Sequence, residues 1–307
     1  MNVVITGGTG FIGSALCRRW VEQGARVTVI TRHPQAVQRQ LPEGVGAVGW
    51  DDEGRWRDQV AGADVVVNLA GATISRRWTR AYRQRILESR LRATRSIADA
   101  MAGVGRPQVL ITASAVGYYG SEPERTLTED DGPGHDFLAT VAAQWEAAAQ
   151  AVASDDVRVV RLRIGTVLGV TGGALPRLLL PLRLGLGGPL GSGKQWLSWI
   201  HLDDLVRLIL FAAETPALAG PVNATAPHPV TNEEFTRVLA RLLGRPAWLR
   251  VPGWLLRLVL GEMATLLLEG QRVLPVRALA AGFDFRFPEL EPALRDLLSR
   301  PPARGAA

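Results

Sequence analysis

Lysine is almost absent from this chain. Lys194 is the single lysine among 307 residues, so arginine carries nearly all of the positive side of a net charge of +6. Cysteine is as scarce: Cys17 stands alone, which excludes a disulfide framework and any multi-cysteine metal cluster, and we expect no metal site. Cys17 lies in a stretch of helical spacing and reads as a buried structural thiol. Tyrosine occurs three times, as Tyr82, Tyr118 and Tyr119, and none has a lysine four residues on. Long apolar runs are missing too. Arg257 and Glu262 interrupt the best candidate, so no membrane span is expected. No basic segment precedes an apolar run at the N-terminus, which predicts no secretory signal and a cytoplasmic location. The sequence pI of 10.5 raises the question of nucleic acid. There is no dense basic block with interleaved aromatics, so a nucleic-acid partner is not expected.

What is present is an ordinary globular composition, 47% hydrophobic and 21% charged. The most informative segment is Thr6-Gly7-Gly8-Thr9-Gly10-Phe11-Ile12-Gly13. It follows an apolar run, Val3-Val4-Ile5, and opens a stretch with helical spacing at Phe11, Ala15, Leu16 and Trp20. Strand, glycine turn and helix together form the context in which such glycines mark a dinucleotide site. They permit a tight turn, close backbone approach to a pyrophosphate and close helix–strand packing. The helix N-terminus then offers unpaired N–H groups and a positive dipole end to the phosphates.

Further strands are predicted at 27–30, 46–50, 65–69, 108–112 and 157–162, with helices over 80–103 and 136–153. Apolar strands alternating with helices indicate an α/β, Rossmann-type doubly wound parallel sheet. After residue 165 the chain becomes rich in glycine, proline and leucine. Residues 222–224 read as a return strand, and 231–244 and 252–270 as helices, the first opened by a Thr231–Glu234 capping box. We therefore divide the chain into a Rossmann domain over 1–165, with a return strand near 220–226, and a smaller, mainly helical lobe over 166–307. The tail from Pro301 is expected to fray.

A Rossmann unit that binds NAD usually ends its second strand on a carboxylate, which takes the ribose 2′-hydroxyl. Here that strand ends Ile30-Thr31-Arg32. An arginine suits a 2′-phosphate, which a carboxylate would repel. NADP(H) is the expected cofactor, with Gly7, Thr9, Gly10, Phe11, Ile12, Gly13, Thr31 and Arg32 in its site.

Five further segments carry a family resemblance: Asn68-Leu69-Ala70-Gly71, Ile86-Leu87-Glu88-Ser89-Arg90, Ser114-Ala115-Val116-Gly117-Tyr118-Tyr119-Gly120, Trp199-Ile200-His201-Leu202-Asp203-Asp204, and Gln271-Arg272-Val273-Leu274-Pro275 with Ala281-Gly282-Phe283. With the glycine turn, they resemble the extended short-chain dehydrogenase/reductases. The similarity is to the atypical "epimerase family" subgroup, which has its own C-terminal domain, here about 248–297. The resemblance implies a seven-stranded sheet with an interleaved substrate lobe. It also implies cofactor contacts from Asn68, Leu69, Ala70, Gly71, Arg90 and Gly165.

Typical members pair a tyrosine acid with a lysine four residues later, because an unperturbed tyrosine is protonated to about pH 10. In this chain Thr140 falls at the tyrosine position, and Gln144-Trp145-Glu146 occupies the lysine segment. Ser114 matches the family serine. Tyr118 and Tyr119 are the candidate substitute proton donors, although an aromatic pair after a strand is also a common packing element. His201 is expected to be a hydrogen-bonded structural residue, and Asp203 and Asp204 to cap a helix. Lys194, in Gly191-Ser192-Gly193-Lys194-Gln195-Trp196, is a candidate substrate contact. Residues 254–260 are assigned to core packing, with a membrane-surface or homodimer helix as the alternative. Two functions follow. One is an NADP-dependent oxidoreductase or epimerase acting on an unidentified carbonyl or sugar-like molecule. The other is a cofactor-bound sensor or interaction protein with little turnover.

Overall fold

The computed structural model describes residues 1–105 and 108–300; the tail expected to fray lies outside them. Seven parallel strands form the main sheet: β1 (Asn2–Thr6), β2 (Arg26–Thr31), β3 (Val45–Gly49), β4 (Val65–Asn68), β5 (Gln108–Ala115), β6 (Val157–Ile164) and β7 (Gly220–Ala224). Their order is β7-β6-β5-β4-β1-β2-β3. The order reverses between β1 and β4, the switch point at which doubly wound sheets open a ligand crevice beyond the strand C-termini.

Helix α1 (Phe11–Glu22) covers one face of the sheet through Leu16, Cys17 and Trp20, all fully buried. The opposite face is covered by α3 (Glu53–Ala61), α4 (Arg80–Met101) and α5 (Phe137–Gln150), with Trp56, Ile97, Met101 and Ala149 in its core. Helix α2 (Pro34–Gln38) is one short turn after β2. Burial pushes the Cys17 thiol up to about 12, as expected of an inert core cysteine.

The remaining chain builds a lobe around Trp199, Phe235, Leu239 and Leu294. Its helices include α6 (Leu175–Arg183), α8 (Asn232–Leu242) and a C-terminal helix over Leu290–Ser299; α7 (Leu202–Glu214), between the first two in the chain, packs beside α1 in the core of the sheet. The lobe is stitched to the sheet. Strand Gln271–Val273 pairs with Glu122–Leu127, and Phe283 and Phe285 enter the core beside α7.

Three local expectations are corrected. The single helix over 252–270 is three pieces: α9 (Gly253–Leu260), a 3-10 turn over Gly261–Ala264 and one turn over Thr265–Leu268. Gly261, at φ 63°, takes a left-handed conformation that ends α9. The core-packing assignment for 254–260 also fails, because no residue of α9 is buried. Finally, His201 caps α7 by accepting the Asp203 N–H through Nδ1. The two aspartates do other work. Asp203 pairs with Arg300, and buried Asp204 accepts the Arg286 and Phe287 N–H groups.

Candidate functional site

The glycine turn closes β1 onto α1. Gly7 has a φ of +71°, and a Cβ there would sit 2.8 Å from the Leu69 carbonyl oxygen. A Cβ on Gly13 would sit 2.3 Å from the Gly7 carbonyl oxygen, so the helix can lie this close only without a side chain. Gly10 differs. Its backbone is extended (φ −76°), and a Cβ would meet only the Gly7 oxygen, at 3.2 Å. Gly10 is the exposed N-cap of α1, has no capping side chain, and is followed by no acid in the first turn. The turn thus leaves a bare helix N-terminus suited to a phosphate. Thr9 is exposed beside it. Phe11 and Ile12 are half-buried, and the Phe11 ring packs on Gly169, Gly172 and Gly173 of the lobe.

At the end of β2, Thr31 is half-buried and Arg32 is exposed, with no ion-pair partner among the described residues. Asn68, fully buried, ties the next wall together. Its Oδ1 accepts from the Thr6 hydroxyl (2.6 Å) and the Ala70 N–H (3.3 Å), and its Nδ2 donates to Thr94 (2.8 Å). The Asn68 side chain therefore shapes the Leu69-Ala70-Gly71 backbone from below. Gly71 makes room for Arg90: a Cβ would stand 3.1 Å from the guanidinium carbon. Arg90 donates to the Ala72 and Ile86 carbonyls and lies over the Trp145 ring, with no carboxylate partner among the described residues. Burial lowers it to about 10, with Tyr82 opposing. A partly buried guanidinium without an anion is what a site for an anionic ligand requires.

At the C-terminal ends of β5 and β6 lies a buried polar cluster. Ser114 of β5 is in register with Arg163 of β6. Glu146 of α5 accepts the Ser114 hydroxyl at 2.7 Å and two Arg163 hydrogen bonds at 2.9 and 3.0 Å. Burial works against the Arg163 charge, but the hydrogen bonds and charge of Glu146 outweigh it and hold the guanidinium above its ordinary range. Arg163 also donates to the Tyr119 hydroxyl (2.9 Å), which itself donates to Asn223 Oδ1 (2.7 Å). Tyr119 is buried, and desolvation, partly offset by Arg163, pushes its phenol up to about 12. Tyr118 is only half-buried, and the Arg163 guanidinium lies 3.5 Å over its ring. The phenol of Tyr118 has no hydrogen-bond partner among the described residues.

The geometry brings Ser114, Tyr118 and Tyr119 into one cluster around the Glu146–Arg163 pair. Thr140 is not part of it: exposed on α5, it donates back to the Asp136 carbonyl. Gly165 is required by packing, because a Cβ there would sit 2.5 Å from the Ser198 carbonyl oxygen. Lys194 is exposed on a turn where Gly191 and Gly193 have positive φ. His201 is fully buried against Asp296 (3.2 Å), and desolvation holds it below the usual histidine range. His201, Asp203 and Asp296 could together ligate a cation, but Arg300 already bridges the two carboxylates.

Sequence reasoning missed the roles of Glu146 and Arg163. The signal was there. Glu146 falls on the helix face of Ala142, Trp145 and Ala149, all buried, and a charge on such a face demands a partner.

The sheet order, the glycine turn and the bare helix N-terminus define a Rossmann-type dinucleotide-binding protein. The comparisons narrow the class. The NAD dependent epimerase/dehydratase family matches residues 3–224. A domain of unknown function (DUF1731) matches residues 251–297. The chain belongs to the epimerase family. It is 43% identical over 302 residues to the epimerase family protein SDR39U1 homolog, chloroplastic, of Arabidopsis thaliana, covering 97% of this chain and 87% of that protein. It is 41% identical to the epimerase family protein YfhF of Bacillus subtilis, covering 97% and 98%. Among solved structures, the human epimerase family protein SDR39U1 (isoform 2), crystallised with NADPH, superposes with a TM-score of 0.86. Its identity is 37%, covering 97% of this chain and 99% of that one.

Proposed function

We propose that this protein binds NADP(H) and is an oxidoreductase or epimerase acting on a carbonyl or sugar-like small molecule. The observation that carries the cofactor reading is Arg32, an exposed guanidinium at the end of β2 without a carboxylate partner among the described residues. An NAD-selective site would place an acid there. The NADPH in the human relative's structure supports the same reading. The α1 N-terminus would hold the pyrophosphate, and Arg90 is placed to meet an anionic group near Gly71.

When bound, the nicotinamide supplies hydride chemistry. The chain's own part is to position a substrate oxygen and exchange its proton. Tyr118 fits the proton donor: it is half-buried, its hydroxyl is unengaged among the described residues, and the Arg163 guanidinium lies over its ring. Tyr119 fits worse, because its proton is committed to Asn223 and its acidity is suppressed. Ser114 orients the substrate oxygen if its hydroxyl turns from Glu146.

Calorimetric titration tests the cofactor. Wild type should prefer NADPH to NADH by about ten- to a hundredfold, the worth of a charged hydrogen bond of roughly 1.5–3 kcal/mol, and Arg32→Ala should abolish that preference. Equal affinities in wild type overturn the assignment. A screen of carbonyl compounds and nucleotide sugars then tests the chemistry. With an active substrate, Tyr118→Phe and Ser114→Ala should each lower kcat by about 10²–10⁴-fold, with NADPH affinity little changed.

One observation favours a second reading. The Ser114 and Tyr119 hydroxyls are both satisfied inside the protein. A cofactor-bound sensor would bind NADPH, turn over nothing in the screen, and change its affinity for a partner with the cofactor's redox state.

A further inference from the structure

The lobe carries an apolar surface that the nucleotide site does not use. Trp254 and Leu258 of α9 are 68% and 72% exposed, and Trp248 just before it is 74% exposed. Leu180, Leu184 and Leu186, at and after the end of α6, are each more than 60% exposed. The chain segments that carry them meet between residues 189–191 and Val251. Gly191 N–H donates to the Val251 carbonyl and Val251 N–H to the Pro189 carbonyl. Isolated exposed leucines are normal, but clustered leucines and tryptophans on adjoining elements mark a contact surface.

Charge indicates what covers it. Segments 174–192 and 244–260 contain no aspartate or glutamate. They contain Arg177, Arg183, Arg245, Arg250 and Arg257, all exposed. Arg250 alone among these reaches a carboxylate within the described residues, Glu233. A second copy docked by a two-fold axis would set this basic surface against itself, and like charges would oppose the contact. An anionic bilayer meets both halves of the surface at once. Leucine and tryptophan side chains enter the acyl boundary, and arginines meet the headgroup phosphates. No described helix is long and apolar enough to span a bilayer, so the contact would be with its surface.

We propose that the α6–α9 face is a docking surface for an anionic membrane, which would hold the nucleotide site beside the bilayer. The test is co-sedimentation of the whole protein with vesicles of phosphatidylcholine alone and with phosphatidylglycerol added. Binding is expected to the mixed vesicles, to weaken as salt rises, and to be weak on phosphatidylcholine. Trp254→Ser/Leu258→Ser should lower the partition coefficient by at least about tenfold, from the lost apolar burial. Arg183→Glu/Arg257→Glu should also lower it, by about fivefold or more for each arginine removed. All four substituted residues are exposed, so NADPH affinity and thermal melting serve as folding controls. No binding to anionic vesicles, or undiminished binding by Trp254→Ser/Leu258→Ser, overturns the proposal. So does a dimer by sedimentation equilibrium that the same variant dissolves, which would assign the face to a second copy.

Discussion

At the residue scale, the three fingerprint glycines do different things, and substitution separates them. At Gly13 a Cβ would strike the Gly7 carbonyl at 2.3 Å. Gly13→Val should therefore destabilise the fold itself by several kcal/mol, of the order that overpacking and backbone displacement cost. Gly10 is extended backbone with nothing closer than 3.2 Å. Gly10→Val should leave the melting temperature nearly unchanged yet weaken NADPH binding by at least about tenfold, because the added branches would occupy the phosphate position proposed at the α1 N-terminus. Circular dichroism melts and calorimetric titration of both variants check this. A folded Gly10→Val protein with wild-type NADPH affinity would remove the site from the α1 N-terminus. The sequence made Gly13 and Gly10 visible as one motif. Only their surroundings distinguish a packing glycine from an exposed one.

At the scale of elements, α5 and β6 are joined by a charge pair buried on both sides: Glu146 and Arg163 are 2% and 3% exposed. Such pairs add little net stability when intact, because desolvation offsets attraction. Breaking one is costly. Glu146→Ala should lose about 3–5 kcal/mol in chemical denaturation, since it strands the Arg163 guanidinium without a counter-charge. Replacing both partners with apolar residues should cost less than Glu146→Ala alone, and the double-mutant cycle reads that difference. A loss below about 1 kcal/mol for Glu146→Ala would mean that Arg163 finds another partner or water. The pair also sets the environment of both tyrosines. Arg163 stands on a strand instead of a helix, with one hydrogen bond to Tyr119 and its flat face over Tyr118.

At the scale of the molecule, the C-terminal region is anchored to the sheet edge through Glu129. Its Oε1 accepts N–H groups from Asn223 of β7 and from Arg277, while Oε2 is buried without a hydrogen-bond partner among the described residues. Burial raises this carboxyl above its ordinary value of 4.5, the hydrogen bonds only partly opposing. The sign follows. A group whose folded value is raised is most favourable below the unfolded value and loses stability as pH rises through the folded one. Glu129 therefore contributes a stability that falls as pH climbs above about 4.5. Glu129→Gln keeps an acceptor for the two N–H groups and removes the titration. Relative to wild type, its stability should rise from pH 4 to pH 7 in urea melts. A constant difference across that range would show that Glu129 does not titrate differently on folding.

The sequence by itself determined the layered sheet, the glycine turn, the arginine at the end of β2 and the missing tyrosine–lysine pair. These are local patterns: apolar runs of strand length, glycines at fixed offsets, a residue type at a strand end. Nearest-neighbour geometry translates them into structure directly. Helix limits were legible to within a few residues for α4 and α5, and the Thr231 cap of α8 was legible because its hydroxyl accepts from Glu234 three residues on. Tertiary structure alone decided the rest. It split 252–270 at Gly261, whose left-handed backbone is a choice any glycine leaves open. It turned α9 outward, although its leucines looked like core, because periodicity shows that a face is apolar and not what lies against it. It joined Glu146 to Arg163 across 17 residues and Tyr119 to Asn223 across 104. Such pairings depend on which strands become neighbours, and that is settled by the packing of the whole sheet.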